Sequence, residues 1–527
     1  MRKTISLVIA TIVIMAAQTA ASKPSDMSVG SAVLKLVQRS EGLPPFVNGG
    51  LVVGQKGRPI FHHVGGFADF RLQTPINRAT VFPLASGAKP FTSVAVLQLR
   101  DRGRLNLDDP VADYLPGFPY AHITIRHLLS HTSGLPDLEL FEPLIATKPD
   151  HVVSSADLVP ALQKWTEPLR FPPGTEFRYS NINYQLLANI VEQVSGQPFG
   201  DYMRDRVFRP AGMRSSYVLG TRAIGEHRDP LTRHTLAVMF RTEPEDVRRL
   251  DYQDTRMMRP CRYEGFNLGS TVGDQNLFST LDDLVSFDRA LTEAKLLSAS
   301  TQAEAYAPVR FNDGRAYTEG TIYELYGARC SYGLGWEVCH HPGRGRLVGH
   351  AGSSRGIATM FYRELDNDHI VAMYDNADGG AFGPRFASLV NVIHSQPPLD
   401  LPLRRSLTRE YGRLLIAQGP TAALIEFNRR KADTMRWTST KAGMNQLGYD
   451  LLRNGYQALA LEAFRLNLVL NPDDANAYDS YGEALAVNGR REEAILAYRR
   501  ALELNPANEF GRAALQKLER DVSPQGK

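Results

Sequence analysis

The sequence predicts an α+β domain, with an antiparallel sheet flanked by helices and an all-helical subdomain, followed by a small all-α helical-repeat module. Three observations carry that expectation. Residues 30–82 alternate short apolar segments with Gly-rich turns, as antiparallel strands do. Residues 331–378 return to strand character after a long helix- and loop-rich middle, so the sheet is expected to be closed by sequence-distant strands. Past Pro397-Pro398 the character turns helical and the chain repeats itself.

The first residues read as a secretory signal, 1–21: Met1-Arg2-Lys3, an apolar run from Ile5 to Ala17, and small residues Thr19-Ala20-Ala21. The run is short of the roughly 20 residues a membrane helix needs, although an uncleaved anchor is the alternative. A periplasmic or secreted product without stable membrane insertion follows. A large first domain is expected over 30–395, with Asn48-Gly49-Gly50 and Gly65-Gly66 as turns between its first strands. After Ser86 a helix is expected, apolar on nearly all sides (Phe91, Val94, Ala95, Val96, Leu97, Leu99) and ended by Gly103. Leu187, Ile190, Val191 and Val194 mark an amphipathic helix over 183–195, closed by Gly196. Gly343 and Gly345 mark a turn between late strands.

A helical linker is expected over 396–440, then two repeats and a capping helix over 441–521. Gly448 to Pro472 aligns with Gly482 to Pro506, a period of 34 residues. Asn454-Gly455 matches Asn488-Gly489, Ala460 matches Ala494, Phe464 matches Tyr498, and Asn471-Pro472 matches Asn505-Pro506. That pattern resembles tetratricopeptide repeats, which implies a possible protein partner or an appendage packed on the first domain.

Charge excludes one class of function. With 60 basic and 56 acidic residues interspersed, net +4, no Lys/Arg block points to nucleic acid. The three cysteines, Cys261, Cys330 and Cys339, permit at most one intrachain disulfide. Cys330 and Cys339, flanking a strand-like stretch, are the nearest candidates. Cys339-His340-His341 could also be read as metal ligands, but adjacent ligands converge poorly on one ion. No cofactor and no metal are expected.

The chemistry centres on Ser86-Gly87-Ala88-Lys89. On a helix, residues three apart share a face, which brings the amine beside the hydroxyl. Serine is a weak nucleophile until a base takes its proton. Lysine can be that base only where burial and neighbouring cations lower its pKa. A helix N-terminus also favours a developing oxyanion. Alone the pattern is weak, and a Ser cap with a solvated Lys would produce it as well.

Its surroundings are more specific. Phe82-Pro-Leu-Ala-Ser-Gly-Ala-Lys-Pro-Phe91, Leu105-Asn-Leu-Asp-Asp-Pro-Val111 and Ile123-Thr-Ile-Arg-His-Leu-Leu-Ser-His-Thr-Ser-Gly-Leu-Pro136 come first. Tyr179-Ser180-Asn181, Tyr332-Gly-Leu-Gly-Trp336 and Val348-Gly349-His350-Ala351-Gly352 follow. Over residues 30–390 this resembles the class C β-lactamase-like, penicillin-recognising serine hydrolases. The resemblance implies the β-lactamase/DD-peptidase-like fold and a set of roles. Ser86 would be acylated, and Lys89 and Tyr179 would move protons, Tyr179 as general base or as acid for the leaving group. Asn181 would orient Lys89 and substrate, unless it merely caps the helix over 183–195. His350 would sit on an edge strand facing the nucleophile, with Gly352 letting a substrate backbone pair there. The N–H groups of Ser86 and Ser353 would bind the oxyanion. Arg355 is a candidate carboxylate anchor, and His131 and Ser133 read as structural.

Where many relatives have the cationic Lys of a K-T-G element, this chain has His350, with an ordinary pKa of about 6.5. It would attract a β-lactam carboxylate weakly at neutral pH, and acylation would strengthen as it protonates. Hydrolysis of an amide, D-amino-acid peptide or ester is therefore favoured over a dedicated β-lactamase. A non-catalytic penicillin-recognising scaffold, binding a partner through its repeats, is the reading from another class. Gly352-Ser353-Ser354-Arg355-Gly356 also fits the nucleophile elbow G-x-S-x-G, which demands a strand, a turn and then a helix. The residues after it, Ile357 to Tyr362, read instead as a strand.

Overall fold

A computed structural model describes residues 26–38, 46–69, 73–219, 234–235, 245–246, 267–317, 328–354, 356–376, 382–399, 405–434, 436–453 and 455–520. The expected signal over 1–21, Cys261 and Arg355 lie outside the described residues.

Seven strands form the main sheet. β1 (Gly49–Gln55) and β2 (Arg58–Gly65) come from the N-terminal side. β3 (Arg329–Tyr332), β4 (Glu337–His341), β5 (Gly345–Ser354), β6 (Ile357–Glu364) and β7 (His369–Asp375) come from much later in the chain. The spatial order is β3-β4-β5-β6-β7-β1-β2, antiparallel throughout. β1 closes on β7 with Leu51 opposite Met373 and Val53 opposite Val371. Just past the strand ends Asn48 donates to Asn376, 328 residues away. The sheet is thus sealed by sequence-distant strands, as expected.

Alternation along the strands gives the sheet two apolar faces. Val52, Val348, Phe361, Ile370 and Ala372 join the larger core, which includes α2 (Lys89–Asp101), α3 (Asn181–Ser195) and α4 (Leu281–Thr292). Leu51, Val53, Leu347, Tyr362, Val371 and Met373 pack under α1 (Asp26–Gln38) and α5 (Phe382–Ile393). α2 is the central helix, buried from Lys89 to Leu99. Each large apolar side chain so buried contributes about 1.5–3 kcal/mol, which fixes the helix that carries the Ser-Lys pair.

Three local expectations are corrected. Residues 30–38 are helical, because Val29, Val33, Leu36 and Val37 follow helical spacing and bury on the sheet. Gly49 and Gly50 lie inside β1, and the turn falls at Lys56-Gly57. A Cβ on Gly49 would stand 2.0 Å from the Tyr374 carbonyl oxygen, so close strand approach is what selects glycine there. The helix expected from 183 begins at Asn181. Cys330 and Cys339, opposite each other across β3 and β4, form a disulfide, which removes Cys339 as a metal ligand.

Beyond the sheet stands a helical module with its own apolar core. α6 (Leu407–Lys431), broken at Gly419 ahead of Pro420, precedes α7 (Lys441–Arg453), α8 (Gln457–Leu470), α9 (Ala475–Val487), α10 (Arg491–Leu504) and α11 (Glu509–Arg520). α6 is more than a linker, since Leu407, Tyr411, Leu415 and Phe427 enter the core shared by the repeats. The repeat is a packing rule: Gly448 on α7 faces the ring of Phe464 on α8, and Gly482 on α9 faces Tyr498 on α10. No described helix is long and apolar enough to cross a membrane.

Candidate active site

The nucleophile turn is set by a backbone that few residues adopt. Ala85 has φ 48°, a left-handed conformation that costs about 1–2 kcal/mol for a residue with a Cβ. A 3₁₀ turn over Ala85–Ala88 follows and runs straight into α2. Residues three apart eclipse in such a turn, so the Ser86 hydroxyl and the Lys89 amine stack. Lys89 Nζ lies 3.2 Å from Ser86 Oγ, 2.8 Å from Asn181 Oδ1 and 3.3 Å from the Asp274 carbonyl. It also lies 4.7 Å over the Tyr179 ring.

Lys89 is fully buried, and burial brings its pKa down to about 8. The expectation that neighbouring cations would help is corrected. The charged groups acting on it are the carboxyls of Asp274, Asp137 and Glu337, which favour the ammonium, and desolvation outweighs them. Those carboxyls were not singled out from sequence. Burial lifts Asp274 and Glu337 to about 7 and raises Asp137 as well, so part of the negative charge is withheld at neutral pH.

Tyr179 and Ser86 share a hydrogen bond, and burial holds the phenol far above its usual pKa. That direction favours the neutral phenol at Tyr179 near neutrality. Asn181 is the first residue of α3. Its N–H donates to Asp137 Oδ1 at 2.7 Å and its Nδ2 to Asp137 Oδ2 at 3.3 Å, which points Oδ1 at Lys89. His131 lies under Tyr179 with ring centroids 4.3 Å apart. Its Nδ1 accepts from the Ser180 N–H at 3.2 Å, and burial keeps it neutral. Ser133 donates to Asn183 Oδ1 at 2.7 Å on α3, so the turn holding His131 and Ser133 is braced against the helix that begins at Asn181, two residues past Tyr179.

β5 forms the opposite wall. β4 pairs with it over 345–349, so residues 350–354 of this internal strand continue past the end of β4. His350 stands there, buried, with Nε2 3.1 Å from the Tyr332 hydroxyl and Nδ1 3.5 Å from Glu337 Oε1. Burial, followed by the Lys89 charge, pushes His350 down to about 3. The expectation that it titrates near its ordinary value is thus corrected: it is neutral across physiological pH. Glu337 also accepts from the Ala351 N–H at 3.3 Å and from Tyr362, which ties the start of β4 to β5 and β6. Gly352 also has a packing reason to be glycine. A Cβ there would meet the Leu84 carbonyl oxygen at 2.1 Å and Gly87 N at 3.0 Å, so glycine lets β5, with Ser353 next to it, press against the nucleophile turn.

β5 ends at Ser354 and β6 starts at Ile357, a strand-turn-strand arrangement that excludes the nucleophile elbow at Ser354. Asp137 and Glu337 could have been noticed, since they directly follow the segments ending in Pro136 and Trp336. Asp274 had no comparable signal.

Comparison with known proteins agrees with this geometry. The Beta-lactamase family matches residues 45–393, and the tetratricopeptide repeat family matches residues 475–508. The chain is 31% identical over 396 residues to a penicillin-binding protein of Bacillus subtilis (strain 168), covering 73% of this chain and 82% of that one. It is 27% identical over 346 residues to a D-aminopeptidase of Brucella anthropi, covering 65% of this chain and 59% of that one. The fold is like that of a penicillin binding protein from Bacillus halodurans, with a TM-score of 0.54, 24% identity, and coverage of 69% of this chain and 98% of that chain. With a matched stretch that spans both halves of the closed sheet and every residue around Lys89, the chain belongs to the Beta-lactamase family of serine hydrolases and carries a C-terminal tetratricopeptide repeat.

Proposed function

We propose that the protein hydrolyses an amide, a D-amino-acid peptide or an ester through an acyl-enzyme on Ser86. The observation that carries this reading is a fully buried lysine with a pKa of about 8, 3.2 Å from a serine hydroxyl that also bonds a neutral tyrosine. Neutral Lys89 takes the Ser86 proton as Oγ attacks the carbonyl carbon. The Ser86 and Ser353 N–H groups receive the oxyanion. As the C–N bond breaks, Tyr179 gives its proton to the leaving amine and recovers one from Lys89. Water then attacks the ester by the same relay in reverse, which restores Ser86. Asn181, fixed by Asp137, keeps Lys89 directed at Ser86.

Two observations favour amides of this type over carboxylate-bearing β-lactams. The wall at His350 offers a neutral imidazole rather than a fixed cation. One relative is named a D-aminopeptidase. We also propose export to the periplasm or beyond: the N-terminal pattern reads as a signal, and the Cys330–Cys339 disulfide suits an oxidising compartment. The repeats offer a docking surface for a protein partner.

Fluorophosphonate or fluorescent penicillin labelling, with a panel of D-alanyl peptides, amino-acid amides, short esters and β-lactams, tests the reading. Ser86→Ala should abolish labelling and turnover in a folded protein, and Lys89→Ala should slow acylation by about 100-fold or more. Undiminished turnover by Ser86→Ala would place the nucleophile elsewhere.

A further inference from the structure

On the face of the sheet away from Ser86, three side chains meet that the hydrolytic site does not use. Glu364 ends β6 and His369 begins β7, and the two are register partners. His394 stands one residue past α5, the helix that covers this face. His394 Nε2 lies 2.8 Å from both Glu364 oxygens, and His369 Nδ1 lies 3.3 Å from Oε2. Among the described residues these three alone bring His, Cys, Asp or Glu ligand atoms together in this way, all within 4.8 Å of one another.

We propose that Glu364, His369 and His394 bind one divalent transition-metal ion of the zinc type, which clamps α5 to the β6–β7 hairpin. The donor chemistry selects the ion. Two imidazoles and one carboxylate suit zinc, cobalt, nickel or copper rather than magnesium or calcium, which prefer oxygen ligands. The spacing is compatible: ligand atoms about 2.1 Å from a tetrahedral ion lie about 3.4 Å apart, so small rotations of these side chains suffice. The electrostatics are compatible as well. Glu364 has only 1% of its side chain exposed. The His369 and His394 ring nitrogens both lie within hydrogen-bond reach of its oxygens. A buried carboxyl group with two imidazole nitrogens at its oxygens is the arrangement a cation completes. Arg344 acts on Glu364 through space, but its guanidinium donates to Asn391. His394, with 19% of its side chain exposed, gives an ion a way in, and water would fill the remaining position.

The site predicts a dependence separate from catalysis. The full-length protein, stripped with a chelator and dialysed, is titrated with Co²⁺ and followed by visible absorption, then by Zn²⁺ displacement and metal analysis. One Co²⁺ per chain is expected, displaced by Zn²⁺, with a higher unfolding temperature when loaded. His394→Ala and Glu364→Gln should each weaken binding by more than about 100-fold, beyond what outer-shell changes cost. Far-UV circular dichroism and hydrolase turnover should stay at wild-type level, which separates loss of the site from loss of the fold. Absence of stoichiometric Co²⁺ binding by the wild type, or wild-type affinity in both variants, would overturn the proposal and leave the three residues as a hydrogen-bonded brace.

Discussion

Lys89 is where two opposed effects meet. Burial lowers its pKa to about 8, while Asp274 and Glu337, which ionise near pH 7, and Asp137 pull it upward. The base form therefore accumulates as pH rises, and kcat/KM should climb through about pH 8 and level off above it. Asp274→Asn removes a charge that favours the ammonium but keeps the backbone carbonyl that Lys89 touches. Its rising limb should move to lower pH. An unmoved or upward-shifted limb would show that Asp274 does not act on Lys89. His350 should leave no inflection between pH 5 and 8, because burial keeps it neutral. His350→Lys should slow acylation rather than hasten it, since it buries a second cation near Lys89 and removes the bond to Tyr332. Faster acylation of carboxylate-bearing β-lactams in that variant would show the wall to be solvated. Ser86, Lys89, Tyr179, Asn181 and His350 were legible in the sequence because each sits in a short local motif. The ionisation of Lys89, Tyr179 and His350 was not, because it depends on burial and, for Lys89, on carboxyls distant in the chain such as Asp274 and Glu337.

At the scale of elements, the repeat module shows why some structure reads directly from sequence. A helix pair closes over neighbouring residues, so Gly448 with Phe464 and Gly482 with Tyr498 repeat wherever the packing repeats. Residues 26–38 were harder to read: their strand-like composition is outvoted by the spacing of Val29, Val33, Leu36 and Val37 once α1 has a sheet to cover. The pairing glycines also differ in tightness. A Cβ on Gly448 would lie 2.4 Å from the Phe464 ring, whereas one on Gly482 would lie 3.2 Å from Tyr498. Overpacking costs about 1–3 kcal/mol, and Gly→Ala inside a helix returns about 1 kcal/mol. Gly448→Ala should therefore destabilise α7 and α8 by about 1–2 kcal/mol, while Gly482→Ala stays near neutral. Hydrogen exchange of the amides in these helices measures both, and equal effects would contradict the difference in packing.

At the scale of the whole molecule, the question is where the hydrolase ends. The apolar core of the helical module includes α6 and the repeats, whereas α5 belongs to the core over the sheet. The composition break at Pro397-Pro398 marks the neighbourhood, and the hydrogen bonds refine it. Asn391 Nδ2 donates to the Pro397 carbonyl at 3.2 Å, and the Leu399 N–H donates to Ser388 Oγ at 3.1 Å. The segment through Leu399 is thus bound to α5, and a cut at Pro397 would strip partners from it. On the far side, Arg405 and Ser406 pair with Trp437 and Thr438, so that short ladder belongs to the module. A chain ending after Leu399 should be soluble, should label at Ser86, and should turn over small amides within about twofold of the full-length rate. Ending after Ile393 should instead lower the unfolding temperature, because it removes His394 from Glu364 and the 397–399 tie from α5. If the chain ending after Leu399 is insoluble or loses more than about tenfold in kcat/KM, or about 1.4 kcal/mol at the transition state, the repeats support the catalytic domain and are not an appended docking module.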